Sequence, residues 1–325
     1  MLGKRRTIYI DGKKVKETPL FVPSFSSKLQ MNLDDTFTIV SDAIMDTYLV
    51  SAFDLHHGFI NKEVLNVPPD ILFLDSGGYE TNAEKADPKE LAKEYTPNLK
   101  NDWKLEYYQS LLNEIELQGP TSIVSYDHAD LRQSFENQVK DAATLFSSIN
   151  GVAKEILIKP TSKDHYYLDV DEICKRAHLL ADFDIIGVTD KELGPSLHLR
   201  MENIYKIRQA LNKLNLDKPI HIFGSLDTIT SPLYFLCGAD IFDGLTWLKF
   251  AFHEGQTVYM PTTAALKERS TEKDYLMEKK TLYDNVNELA NMQLTLRAFL
   301  KEEKYDYAVF GPHKQLFKTL IESIA

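Results

Sequence analysis

Three aspartates stand where chemistry is easiest to build. Asp75 closes the apolar run Ile71 to Asp75, Asp127 closes Ser122 to Asp127, and Asp243 lies in the run Asp240 to Leu245. One Asp after a strand is ordinarily a helix cap or a turn residue. Three of them, beside the turns that hold Gly77-Gly78 and Gly224, exceed what capping requires. Glycine lets a backbone N–H come close to a planar ligand. Two carboxylates flanking a glycosidic bond can divide the roles of nucleophile and acid/base, and a retaining reaction needs them roughly 5 Å apart. The chemistry this suggests is glycosyl transfer.

Other reactive side chains carry weaker signals. His56, His57, His128 and His221 fall on different runs without metal-ligand spacing. The expectation is that His221 packs inside the fold and the others shape the mouth of the site. Lys159 ends the run Glu155 to Pro160. A Schiff base is one use of such a lysine, and a phosphate or carboxylate partner is the milder one. Cys174 and Cys237 sit in helix-like runs with neither pairing nor metal spacing, so a reducing, cytoplasmic compartment is expected.

These residues need a frame that brings strand ends together. Short apolar runs recur at Pro19 to Pro23, Asp46 to Ala52, Ile71 to Asp75, Ser122 to Asp127, Glu155 to Pro160, Asp184 to Val188, Pro219 to Gly224 and Asp240 to Leu245. They are continuous rather than alternating, as in strands buried on both faces. Helix-period segments lie between the later ones, at Phe135 to Ile149, Val170 to Ala181, Met201 to Leu214 and Thr228 to Cys237, with Gly238 as a stop. Alternating strands and helices imply a parallel sheet. Eight such units favour a TIM-type (β/α)8 barrel over an open doubly wound sheet, and barrel sites lie at the C-terminal strand ends. Helices are expected at 87–95 and 103–117, as an insertion over the mouth. Asp11-Gly12 predicts an N-terminal hairpin. Its lysines and arginines (Lys4, Arg5, Arg6, Lys13, Lys14, Lys16) fit either a nucleic-acid surface or a solvated hairpin. Residues 1–262 are read as the barrel with its hairpin, and 263–325 as a helical C-terminal extension of the same domain.

Composition sets limits. The chain has 325 residues, 43% of them hydrophobic and 26% charged, enough for a large core. No apolar run is long enough to span a bilayer, and the basic start has no apolar stretch after it, so neither a membrane partner nor a signal peptide is expected. A net charge of −11 argues against broad non-specific nucleic-acid binding but permits a local basic patch.

The motifs resemble a known family. Asp75-Ser76-Gly77-Gly78-Tyr79 is similar to the D-S-G-G-[FY] signature of tRNA-guanine transglycosylases. Pro219 to Gly224, followed by Cys237-Gly238-Ala239-Asp240-Ile241-Phe242-Asp243, resembles the family stretch that ends G-[AV]-D-[ML]-F-D. Ile185-Ile186-Gly187-Val188 stands where the family has a Gly-Gly-Leu turn, and Leu49 to His56 looks like its second-strand segment. The likeness runs over residues 18–262 in the family's order.

The resemblance implies that Asp243 attacks C1′ of a nucleotide and that Asp75 shuttles protons between the leaving guanine and an incoming 7-deazaguanine. It places base reading on Asp127, stacking on Tyr79 and Phe223, and base contacts on Ser76, Gly77, Lys159, Gly187, Val188 and Gly224. Glu192 stands near a family glutamate. The departures are specific. The family's zinc motif has no counterpart, so no metal and no cofactor are expected. Lys159-Pro160 replaces the base-reading glutamine, and Glu80 stands where the tRNA enzymes usually have Gln. Segments 243–247 and 188–194 look more like the branch that inserts 7-cyano-7-deazaguanine into DNA. DNA is therefore the favoured partner, with tRNA as the alternative. A homodimer or a partner subunit is a family-level expectation. The rival readings are a non-catalytic subunit and a small-molecule glycosidase or aldolase-like barrel.

Overall fold

The structure is a computed structural model that describes residues 2–81, 102–128, 131–162, 164–301 and 306–324. The helix expected at 87–95 lies outside these residues. An antiparallel hairpin, β1 (Thr7–Ile10) and β2 (Lys13–Glu17), opens the chain. Eight parallel strands follow: β3 (Leu20–Pro23), β4 (Thr47–Ser51), β5 (Ile71–Asp75), β6 (Thr121–Val124), β7 (Ala153–Ile158), β8 (Ile185–Thr189), β9 (Ile220–Phe223) and β10 (Ile241–Gly244). Their order, β3-β10-β9-β8-β7-β6-β5-β4, is that of a TIM-type barrel with helices around it. Each of the eight expected runs overlaps one of the eight strands, although β6 stops at Val124, three residues short of Asp127.

The ring is closed unevenly. Seven seams carry two to five registered residue pairs each. Between β3 and β4 there is one bridge, Ser24 to Leu49, with the Phe25 N–H donating to the Leu49 carbonyl at 3.1 Å.

Side chains alternate across each strand. Leu49, Phe73, Leu157, Ile185 and Ile241 fill the barrel, and Ile8 and Ile10 of the hairpin join them. Val50, Leu74, Ile156, Ile186, Val188, Ile222 and Phe242 pack outward against the helices. Both faces are dry, which explains the unbroken apolar runs.

The hairpin plugs the N-terminal end of the barrel. Arg6 is buried and its guanidinium pairs with Asp240 at 2.7 Å, while Arg208 takes the other Asp240 oxygen at 2.6 Å. Lys16 pairs with Asp46 and Asp70, which precede β4 and β5. Lys4 pairs with Asp217, and Lys14 with Glu17. Of the two readings of this basic segment, these pairs fit the structural hairpin. Arg6 and Lys16 neutralise acids at the floor of the barrel, opposite the strand ends that carry the three aspartates.

Helix Asp274–Phe299 lies across the weak seam. Gln293 accepts from the Phe21 N–H at 3.3 Å and donates to Asp46 at 2.9 Å. Asn285 donates to the carbonyls of Trp247 and Phe250, 2.7 Å each, and accepts from the Phe252 N–H. A second hairpin, β11 (Phe250–His253) and β12 (Gln256–Tyr259), stands where the sequence reading assigned no element.

Candidate active site

Asp243 comes from the third residue of β10, on the inward face at the C-terminal end. Both of its oxygens have donors. Ser24 Oγ donates to Oδ2 at 2.8 Å, and the Gly224 N–H donates to Oδ1 at 3.0 Å. Gly224 has φ +77, a left-handed conformation that glycine adopts at no cost and that turns its N–H toward the carboxylate. His221, three residues before Gly224 on β9, places Nε2 3.4 Å from Asp243 Oδ1.

His221 is itself held from below. Its Nδ1 sits 2.6 Å from Glu155 Oε1 on β7, and the other Glu155 oxygen accepts from Ser122 Oγ at 2.8 Å. His221 and Glu155 are fully buried. Burial pushes the imidazole pKa down, but the charge of Glu155 and the Asp243 contact outweigh it and raise it to about 9. The imidazolium thus sits between two carboxylates, as a buried cation must. His221 packs inside the barrel as expected, and the chain from Asp243 through His221 to Glu155 is a feature only the structure shows.

Asp75 ends β5 in the same mouth, with a poorer set of partners. The Gly77 N–H donates to Oδ2 at 2.9 Å. Its pKa is raised to about 7, chiefly by burial, then by the charge of Glu80; Asp243 and Asp127 add smaller contributions in the same direction. Glu80 is buried and accepts from Ser26 Oγ at 2.6 Å and Ser51 Oγ at 2.9 Å. Burial and neighbouring Asp54 raise Glu80 to about 7. Asp54 accepts from the Ser27 N–H at 2.9 Å, and burial raises it to about 6.

The opposite wall is ionic. Asp127 lies 3.3 Å from Arg132 Nη1 and 3.6 Å from Lys159 Nζ. Lys159 Nζ also reaches Glu192 at 2.8 Å and donates to Thr189 Oγ1 at 3.2 Å. Burial opposes the lysine charge, yet Asp127 and Glu192 overcome it and raise its pKa. The expected carboxylate partner of Lys159 is therefore found twice over. Glu192 is raised by burial, with Lys159 pulling it back.

The Asp75–Tyr79 turn is shaped by neighbouring protein groups. A Cβ on Gly77, where φ is +90, would lie 2.5 Å from Phe53 Cβ, and one on Gly78 would lie 2.6 Å from Asp127 Cβ. Only glycine lets this turn reach Asp127. Ser76 is fully buried: its Oγ accepts from the Asp127 N–H at 3.0 Å and its carbonyl accepts from Trp103 Nε1 at 2.8 Å. Ser76 therefore braces Asp127, a different task from the base contact expected of it.

Two aromatic rings border the opening. Tyr79 is about one-third exposed, with Lys28 Nζ 3.9 Å from its ring centre. Phe223 stacks on His221, with ring centres 4.0 Å apart. Gly187 makes that stack possible, because a Cβ there would lie 2.7 Å from Phe223 Cε2 and 3.3 Å from Glu155 Oε1. No protein-family model matches this chain, and no curated protein matches it.

Of the residues expected at the site, Asp75, Asp127, Asp243, Gly77, Lys159, Phe223 and Gly224 converge on one mouth, with Tyr79 at its rim. Val188 does not join them with its side chain, which packs outward in the helix-facing core. Alternation explains the correction: Gly187 faces inward, so Val188 faces out. Among the described residues no group of three or more His, Cys, Asp or Glu is arranged to hold a metal, and no helix is long and apolar enough to cross a membrane. Ser24, Glu155 and Arg132 join the site without a signal in the sequence, and Glu80, marked there only as a departure from the motif, lines it too.

Proposed function

We propose that this chain is a base-exchange transglycosylase of the tRNA-guanine transglycosylase type, acting on a nucleic acid with Asp243 as nucleophile and Asp75 as acid/base. The observation that carries this reading is the contrast between two carboxyls at one mouth. Asp243 has a hydroxyl, a backbone N–H and an imidazolium around it. Asp75 has one backbone donor, deep burial and an acidic neighbour, which bring it to about 7. Carboxyls in such different surroundings divide into a nucleophile and a proton carrier. A pKa near the working pH suits general acid/base catalysis.

The first step forms a bond from an Asp243 oxygen to C1′ as the C1′–N9 bond of guanine breaks. Protonated Asp75 gives its proton to the departing purine. An incoming 7-deazaguanine then returns a proton from N9 to Asp75 and attacks C1′, releasing Asp243. Charge and protons balance over the cycle, and two displacements retain configuration. His221 keeps a cation beside Asp243 throughout. Asp127 offers acceptors to the N–H groups of a guanine-type edge, Lys159 offers an N–H donor, and Phe223 and Tyr79 offer faces. The target nucleotide must leave its stack to enter.

DNA is the favoured polymer, on the likeness of segments 188–194 and 243–247. The test is incubation of the protein and labelled guanine with duplex DNA and, separately, with tRNA. Label in DNA supports the full reading. Label in tRNA alone reassigns the polymer, and label in neither refutes base exchange.

A further inference from the structure

The weakest seam of the barrel lies between the two strands that position the proposed nucleophile and acid. The β3 end holds Asp243 through Ser24. The β4 end holds Asp75 through register, since Ser51 is paired with Asp75. One bridge joins β3 to β4, whereas β4 and β5 share five registered pairs. Backbone pairing alone therefore fixes the distance between the Asp243 side and the Asp75 side poorly.

Two carboxylates span this gap at the mouth: Asp54, just beyond β4, accepts from the Ser27 N–H at 2.9 Å, and Glu80 reaches hydroxyls on both sides. Glu80 accepts from Ser26, two residues beyond Ser24, and from Ser51, the register partner of Asp75. Its two oxygens serve the two sides separately. Glu80 is fixed to the same Asp75–Tyr79 turn as the acid and is almost completely buried. Both bonds are shielded from water, and losing either would leave a buried polar group unpaired. Gln293 performs the matching task lower on the seam, between Phe21 and Asp46.

We propose that Glu80 is a positioning residue: it staples the ends of β3 and β4 and so sets the separation between Asp243 and Asp75. The catalytic half of this statement rests on the base-exchange reading; the mechanical half does not. A hydroxyl can donate to the oxygen of a carboxamide and accept from its NH2. Glutamine should therefore keep the staple, and alanine should remove it.

The experiment compares wild type, Glu80→Ala and Glu80→Gln by amide hydrogen exchange and by exchange of labelled guanine, each variant at its own pH optimum. In Glu80→Ala the amides of residues 24–26 and 49–51 should exchange about tenfold faster, while those of β6 to β8 stay as in wild type. Turnover should fall by about tenfold or more with KM for the base little changed, because geometry between reacting groups affects kcat. Glu80→Gln should restore both readouts. Unchanged seam amides in Glu80→Ala overturn the proposal, as does a loosened seam with wild-type kcat. If Glu80→Ala does not fold, a loosened seam and lost turnover in Glu80→Gln also overturn it. A loosened seam in a protein whose wild type exchanges no base supports the staple and refutes the reaction instead.

Discussion

His221 Nε2 lies 3.4 Å from Asp243 Oδ1, and the opposite ring nitrogen lies 2.6 Å from Glu155. The proposed nucleophile is thus the top of a buried column of alternating charge. Nothing in the barrel's packing demands such a column; the remaining interior is largely hydrocarbon.

Breaking the column should cost stability and give part of it back when both partners go. His221→Gln leaves Glu155 buried beside a neutral group, a defect of about 3–5 kcal/mol. The double variant with Glu155→Gln should regain part of that loss, because a neutral pair needs no counter-charge. Denaturant midpoints measure both. Equal losses in single and double variants would contradict the ion pair. The pH sign follows from a raised imidazole pKa. The stabilisation is full below the ordinary histidine value and is lost as pH rises through about 9.

Asp75 sets a second pH dependence. Expulsion of guanine needs its proton, so kcat/KM should fall as pH rises through about 7. Glu80→Gln removes the largest neighbouring charge that raises Asp75, so the same fall should move to lower pH. Asp75→Asn should reduce turnover by about 10²–10⁴-fold and abolish that limb of the profile. A limb unmoved in Glu80→Gln would contradict this assignment.

The acidic cluster also weakens the fold as it ionises. Asp54, Asp75 and Glu80 all have raised values, about 6, 7 and 7. Their contribution to stability is full below the ordinary carboxylate range and is lost as pH rises through those values. Thermal melting should therefore decline from acidic to neutral pH by more in wild type than in Glu80→Gln. Parallel curves would contradict it.

Gly187→Ala should overpack the barrel. The new methyl meets Phe223 at 2.7 Å and a backbone carbonyl at 3.2 Å, so a cost of about 1–3 kcal/mol is expected. Displacing Phe223 should raise KM for the base more than it lowers kcat. An unchanged KM would remove Phe223 from base binding.

The N-terminal basic segment should be neutral for polymer binding. Lys13 and Lys14 lie on the hairpin at the closed end of the barrel. Replacing both by Ala should leave nucleic-acid affinity and its salt dependence unchanged, whereas true phosphate contacts would lower the slope by about one each. A reduced slope would contradict this placement.

The barrel was legible because its strands are dry on both faces and so read as unbroken apolar runs. The converging aspartates followed from the rule that strand ends share a mouth. The outward face of Val188 was also readable, since alternation puts it opposite Gly187. What stayed hidden was pairing at long separation. Ser24 meets Asp243 across 219 positions, and His221 meets Glu155 across 66. Neither has a periodic signal. The basic hairpin stayed ambiguous because composition shows charge and not its partners; Asp46, Asp70, Asp217 and Asp240 are distant in sequence. β11 and β12 are four residues each, too short to stand out, although Glu254-Gly255 at φ +50 and +73 forms the turn between them. Asn32, accepting from the Asp35 N–H, was a readable cap for helix Leu33–Val40.

The most direct test of the central claim is intact-mass analysis after mixing the protein with the polymer substrate and quenching in acid. A covalent adduct on wild-type protein, mapped to Asp243 by peptide sequencing and missing from Asp243→Asn, is the result predicted. Turnover without an adduct, or an adduct that persists in Asp243→Asn, would contradict it.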